Sequence, residues 1–215
     1  MGTSYNPSIV KSGLILYLDA ANKKSYPGSG STWYDLSKNG RNGTITNAVW
    51  SSANGGIFTM DTTQYITTTN TDFRTGTYTV ISAIRLTGGS NQRIITGASN
   101  NYLLGTWQGY VNEYFSEGWV SPTYNTIADT NWRVYAGTVD TVADNYKLYT
   151  NGVLQMSNTN GSQGPYGINI NTGFYQAPTT EKSNCAISFL AVYNRVLSAT
   201  EILQNYNTTK GRFGL

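Results

Sequence analysis

The sequence predicts an all-β protein: two antiparallel sheets packed as a sandwich, with one short C-terminal helix. Three observations predict it. Short runs rich in Tyr, Val, Ile and Thr recur at roughly 8–12-residue intervals, separated by Gly-, Asn- and Ser-rich turns. Between Tyr146–Thr150 and Val153–Met156 stands Asn151-Gly152. That pair marks a tight hairpin, because a type I′ turn needs φ > 0 at both central positions. Helix signals are confined to the end of the chain, where Ser198-Ala199-Thr200-Glu201 spells a capping box flanked by Leu197 and Ile202.

The elements follow in order. Residues 1–12 are an extended arm, polar through Ser8. Leu14–Leu18 is a continuous apolar run, expected as a fully buried strand. Ser25–Ser37 is a long turn-rich loop. Its Gly28 and Gly30 serve positive-φ turns rather than a phosphate cradle, since no Gly-Lys-Ser/Thr follows them. A strand from Phe58, a turn at Asp61-Thr62-Thr63 and a second strand at Tyr65-Ile66 come next. Thr77–Leu86 alternates well and is expected at the centre of a sheet. Arg93–Gly97, Tyr102–Thr106, Tyr110–Phe115 and a short piece at Trp119-Val120 follow, and Pro122 breaks the pattern. In the next strand Trp132, Val134, Ala136 and Thr138 alternate with Arg133, Tyr135, Gly137 and Val139, which puts the two sets on opposite faces. After the hairpin, Ser157–Gly167 is a polar loop, and Gly167–Phe174 and Ala186–Tyr193 are the last strands. Ala199–Tyr206 is expected to be a helix packed on the sandwich edge through Ile202, Leu203 and Tyr206. Lys210–Leu215 is a tail. No repeat or linker divides the chain, so residues 13–209 form one domain.

Composition excludes several classes of function. Only 12% of the 215 residues are charged, while 17 Tyr and 5 Trp raise the aromatic share to 13%. Disordered chains are poor in aromatics, and this one is not. A polar, uncharged surface suits carbohydrate, where amides and hydroxyls hydrogen-bond and rings stack on sugar faces. It suits packing in an assembly equally well. The net charge of +3 is scattered, so no nucleic-acid footprint exists. Histidine is absent, which removes Ser-His and Cys-His nucleophile systems. The single Cys185 is expected as a small buried hydrophobe. No signal peptide and no membrane-length apolar stretch is present, so synthesis in a cytoplasm without secretion is expected.

Two long motifs carry a family resemblance. Trp132-x-x-x-Ala136-x-Thr138 followed by Lys147-Leu148-Tyr149-x-Asn151-Gly152-Val153-Leu154 resembles the core of laminin-G-like jelly-roll domains of the concanavalin-A-like lectin/glucanase superfamily. The opening, from Gly13-Leu14-x-Leu16-Tyr17-Leu18-Asp19-Ala20 through Ser25-Tyr26-Pro27-Gly28-Ser29-Gly30 to Asn42-Gly43-Thr44, is similar to single-domain members common in tailed bacteriophages. Ala191–Asn207 is similar to the family's closing strand and helix, and the tail after Lys210 to the phage version. Before Tyr65-Ile66 the family shows an aromatic, an aspartate and a glycine, and this chain departs from it with Met60-Asp61-Thr62. The resemblance implies a two-sheet antiparallel jelly roll, concanavalin-A-like. It also implies a non-enzymatic virion structural protein, a capsid decoration, tail or fibre component located in the virion. Its partners would be other virion proteins and host-surface glycans, with homo-oligomerisation open and no nucleic-acid or membrane partner. A stand-alone carbohydrate-binding module and a glucanase-like hydrolase are the alternatives.

The hydrolase alternative needs two carboxylates flanking the scissile bond. Of the four glutamates, Glu113, Glu117, Glu181 and Glu201, the last is used by the cap, and Glu113 and Glu117 stand four apart. They are expected to be solvated residues at a hairpin end. Candidate sugar contacts are Trp107, Tyr110, Tyr114, Trp119 and Tyr124, clustered among Gly, Asn and Ser, with core packing as the competing assignment. No cofactor is required by any motif. The resemblance admits Ca²⁺ at the sandwich rim, where Asp19, Asp35 and Asp61 border loops and offer the hard oxygens this ion prefers, although turn formation explains the same aspartates.

Overall fold

A computed structural model describes residues 8–69, 71–121 and 126–215. Two antiparallel sheets of eight strands each face one another. The first runs β14 (Val153–Asn158), β13 (Asn145–Thr150), β12 (Arg133–Asp140), β7 (Thr77–Leu86), β16 (Cys185–Tyr193), β5 (Ile57–Met60) and β4 (Val49–Ser51), with β1 (Leu14–Asp19) also paired to β16. The second runs β11 (Thr126–Ile127), β10 (Tyr110–Ser116), β9 (Tyr102–Trp107), β8 (Ile95–Gly97), β15 (Ile168–Ile170), β6 (Tyr65–Thr68), β3 (Gly43–Thr46) and β2 (Thr32–Trp33). The expected sandwich is present, and β7 lies centrally between β12 and β16. The Asn151-Gly152 turn has φ of 51° and 77°, both positive as the hairpin requires.

Alternation along the strands divides the apolar residues between two clusters. Tyr78, Val80, Ile84 and Leu86 of β7 point between the sheets, with Tyr135 and Val139 of β12 and Tyr102, Leu104 and Tyr114 of the opposite sheet. Ile81, Ala83, Val134 and Ala136 point outward and form a second cluster with Val10, Trp132, Leu197 and Ile202. The helix therefore packs on the outer face of the first sheet, not on the sandwich edge. It runs Ala199–Thr209, three residues longer than expected, because a single 3₁₀ turn at Lys210–Arg212 continues it. The capping box is complete, and Glu201 also meets Arg195 at 2.5 Å. That guanidinium and the Ser198 donors hold the Glu201 pKa at about 2. Ile202 is buried as expected, but Leu203 is exposed, and Asn205 takes the third inward position.

Asn205 ties down the arm. Its Oδ1 accepts from Val10 N (2.8 Å) and its Nδ2 donates to Tyr193 OH (3.1 Å), which itself donates to Val10 O (2.9 Å). The tail is likewise docked. The Phe213 ring lies 4.8 Å from that of Trp132, and Arg212 pairs with Asp19 at 3.0 Å.

Other differences from the expected strands have local causes. The Leu14–Leu18 run alternates rather than being buried throughout, since Leu16 and Leu18 enter the inter-sheet core while Leu14 and Tyr17 meet the second cluster. Midway along β16, Ser188 breaks the register, and there the strand exchanges β5 for β1 as its neighbour. Ser188 O accepts from Ala20 N, and its hydroxyl donates to Gly56 O. Gly56 has no substitute here, for a Cβ would lie 2.1 Å from Ala20 O. Within Ser25–Ser37 the Trp33 and Tyr26 rings each sit 4.8 Å from Phe58, so this loop is pinned by aromatic packing. Trp119-Val120 is not a strand, only a single bridge from Trp119 to Phe115. The expected strand at Gly167–Phe174 stops at Ile170, where Asn171 turns the chain at φ 57°. Cys185 is fully buried, and burial pushes its thiol pKa up. No helix among the described residues is long and apolar enough to cross a membrane.

Candidate functional site

The outer face of the second sheet carries a row of cross-strand neighbours: Phe115 opposite Leu103, Leu103 opposite Thr96, Thr96 opposite Asn169, and Thr67 opposite Thr44. The chain from Asn171 to Ser183 folds over part of this row. Its base is set by Asn171, which is fully buried. The Nδ2 of that residue donates to the carbonyls of Asp61, Gln64 and Ser183 (2.8–3.0 Å), and its Oδ1 accepts from Ser183 N (2.7 Å). Both amide hydrogens and one lone pair of the amide oxygen are thereby spent on loop geometry, and a left-handed backbone suits asparagine better than most residues.

A clamp holds the other side of the loop. Arg93 is 5% exposed, with its guanidinium between the Trp107 ring (4.7 Å) and the Phe174 ring (5.1 Å). Its Nε donates to Glu181 at 2.6 Å and its Nη1 to Asn101 Oδ1 at 2.6 Å. A planar guanidinium is well matched to this combination of stacking and forked donation.

Held in this way, the loop walls a groove of about 480 Å³, within the usual ~300–1,000 Å³ of small-ligand sites. Tyr65, Thr67 and Asn169 from the sheet line it, with Thr172, Tyr175 and Lys182 from the loop. Lys182 Nζ sits 4.8 Å from the Tyr65 ring centroid. A second recess of about 440 Å³ adjoins through the shared Tyr175 and is lined by Arg74, Asn100, Glu117, Gln163 and Tyr166. Two tyrosine faces among hydroxyls and amides can stack on a ring and hydrogen-bond its substituents.

The sugar contacts expected from sequence do not assemble into one platform. Tyr114 is fully buried between the sheets, its ring 5.7 Å from that of Tyr102, and it is a core residue. Burial pushes its phenol pKa up. Trp107 is 8% exposed and supports Arg93. Tyr110 starts β10 in a hairpin with Trp107, and Trp119 packs edge-on against Phe115 at 5.1 Å. Both are half-buried. Tyr124 lies outside the described residues.

Tyr65, Tyr175, Thr67, Asn169 and Lys182 were not singled out by sequence reasoning. Tyr65 and Thr67 had a legible signal, since they alternate with the inward Ile66 and Thr68 on β6. Tyr175 and Lys182 had none, because the loop conformation alone brings them to the groove.

The three rim aspartates do not converge on one point, and each is already engaged within the chain. Asp19 pairs with Arg212 and accepts from Tyr17 OH at 2.9 Å. Asp35 accepts from the backbone N–H of Tyr17, Ser37 and Arg41 and from the Ser37 hydroxyl (2.7–3.1 Å). Asp61 accepts from the N–H and hydroxyl of Thr63, both at 2.7 Å, and these donors lower its pKa. Asp35 and Asp61 thus act as turn formers. Among the described residues no three Asp, Glu, Cys or His side chains converge.

Glu113 is fully buried rather than solvated, with Ser121 Oγ 3.2 Å from its carboxylate. A bulge at Asn112 shifts the alternation of β10 and turns Glu113 inward. Glu117 accepts from Asn101 N at 2.7 Å and sits in a left-handed turn at φ 50°. It is the one carboxylate lining either recess among the described residues.

Comparison with known proteins fits this architecture. No curated protein gives a significant match to the sequence. Domain 4 of AbnA, a GH43 extracellular arabinanase from Geobacillus stearothermophilus solved in complex with arabinotriose, is similar with a TM-score of 0.68 and 16% identity, over 92% of this chain and 98% of that domain. The binding domain of Paraclostridial Mosquitocidal Protein 1 is similar at TM-score 0.65 and 15% identity, over 92% of this chain and 52% of that one. A mutant Trypanosoma rangeli sialidase displaying trans-sialidase activity follows at TM-score 0.65 and 11% identity, over 97% and 35%. The chain thus spans nearly all of the arabinanase domain, about half of the toxin fragment and about a third of the sialidase. At such identities these likenesses establish the fold. Residues 60–203 match the laminin-G-like family model of the concanavalin A-like lectin/glucanase superfamily, and the chain belongs to that family.

Proposed function

We propose that this protein is a non-catalytic carbohydrate-binding domain whose site is the groove under the Asn171–Ser183 loop. The observation that carries the proposal is the pair Tyr65 and Tyr175 in one cleft with the polar Thr67, Asn169, Thr172 and Thr179, beside Ala98, Pro178 and Lys182. The arabinotriose held by the similar arabinanase domain supports a saccharide as the ligand class. Hydrolysis is disfavoured because glycoside cleavage uses two carboxylates, and Glu117 is the sole one lining the paired recesses among the described residues. The test is a glycan array on the purified domain, run with Ca²⁺ and again with EDTA. Binding that survives EDTA is the expected result, with no reducing sugar released from the bound glycans. Binding lost in EDTA would make this a calcium lectin and return the rim aspartates to candidacy. An array without hits would remove the carbohydrate assignment.

The setting we propose is a phage virion, as a decoration, tail or fibre component. The likeness of the opening and closing stretches to single-domain phage proteins supports it, as does the low charge of the surface. Peptide mass spectrometry of purified particles is expected to find the protein at many copies per particle. Finding it only free in the lysate would count against that setting.

A further inference from the structure

Lys182 is the one groove residue that the carbohydrate assignment does not by itself explain. It is 9% exposed as a whole residue and lines the groove. An ammonium in a ligand groove is stabilised by an opposite charge. Its ring partner is the face of Tyr65, 4.8 Å from Nζ, a weaker contact than an ion pair. Among the described residues no carboxylate stands within ion-pair distance of it, and no acceptor takes a hydrogen bond from Nζ. The neighbouring Glu181 is held by Arg93 at 2.6 Å. Asp61 feels the lysine electrostatically, but its carboxylate accepts from Thr63. The ammonium lines the groove, and the groove is where a counter-charge has room.

We infer that the ligand is an acidic saccharide, whose carboxylate or sulfate is received by Lys182 beside Tyr65. This rests on the groove being a carbohydrate site, and it adds a direction to the bound chain. The adjoining recess carries Glu117 with the neutral Asn100 and Gln163, and its Arg74 is already paired with Asp72 at 2.8 Å. That end offers an anion no unpaired cation and presents amides suited to neutral hydroxyls. The acidic residue of the saccharide therefore lies at Lys182, and neutral residues extend past Tyr175.

The experiment is an array of uronate-, sialate- and sulfate-bearing glycans printed beside their neutral counterparts, titrated with the wild-type protein, Lys182→Gln and Lys182→Arg. Wild-type hits are expected among acidic members, with at least about tenfold tighter apparent affinity than their neutral partners, the equivalent of one good charge-assisted contact. Lys182→Gln should lose that preference, so that acidic glycans and their neutral partners bind alike, and Lys182→Arg should retain it. Thermal midpoints of the variants report whether a loss is due to misfolding, and retention in the Arg variant shows that a cation at this position is what the preference needs. Hits confined to neutral glycans, or acidic preference intact in Lys182→Gln, would overturn the inference and leave the carbohydrate assignment standing. No hits of either kind would overturn both.

Discussion

Replacing Tyr175 with alanine is expected to weaken glycan binding by about tenfold or more, the loss typical of an aromatic anchor worth ~1–2 kcal/mol. Tyr175 is the one aromatic shared by both recesses, so its removal opens the wall between them. It is half-buried in a loop, and its ring contact is with Phe174 at 4.9 Å. The loop itself is anchored elsewhere, by Asn171 and by the Arg93 clamp. Stability should therefore change by less than ~1 kcal/mol, about 2–4 °C in thermal midpoint for a domain of this size. Calorimetric titration together with thermal melting separates the two effects. An unchanged affinity would remove the groove from the binding account, whereas a large drop in midpoint would show that the loop depends on this ring.

Tyr114→Ala is expected to do the reverse. A fully buried aromatic between two sheets, in contact with Tyr102, costs about 3–5 kcal/mol when truncated, because a cavity is left that the sheets cannot close. The midpoint should fall by about 6–20 °C. Tyr114→Phe should cost much less, about 1 kcal/mol, since it keeps the ring and removes only the hydroxyl that faces Thr138 O at 3.4 Å and the polar groups of Ser116, Tyr78 and Tyr102. Glycan affinity measured below the melting range should be unchanged in both. Lost affinity with stability intact would return Tyr114 to the surface and revive the platform around Trp107 and Trp119.

Much of the fold is legible in local chemistry. The Asn151-Gly152 turn, the Ser198–Glu201 box and the alternation over Thr77–Leu86 each describe a structure that neighbouring residues enforce on their own. What escaped were features set at long range. The strand β4 is three residues long and gains its place by pairing with β5 and by Trp50 reaching Ala20 O and the Tyr26 ring. The helix position depends on Asn205 meeting Val10 and Tyr193, and no periodicity distinguishes a sheet face from a sheet edge. The site was the least legible part. An aromatic count pointed to Trp107 and Tyr114, but strand phase and the bulge at Asn112 decide which rings face the core. The groove depends on Asn171 bending the chain back over Asn169 and Thr67. An asparagine that organises a loop through three carbonyls looks, in sequence, like any other asparagine in a polar turn.

The central claim is the location of the ligand. The most direct measurement is NMR chemical-shift mapping with the strongest array hit, following backbone amides across the domain. We expect the largest shifts at Tyr65, Thr67, Asn169, Thr172 and Tyr175, tracing the groove and its loop wall, with Tyr110 and Trp119 undisturbed. Shifts centred instead on Tyr110 and Trp119, or on the loops around Asp19 and Asp35, would contradict the account.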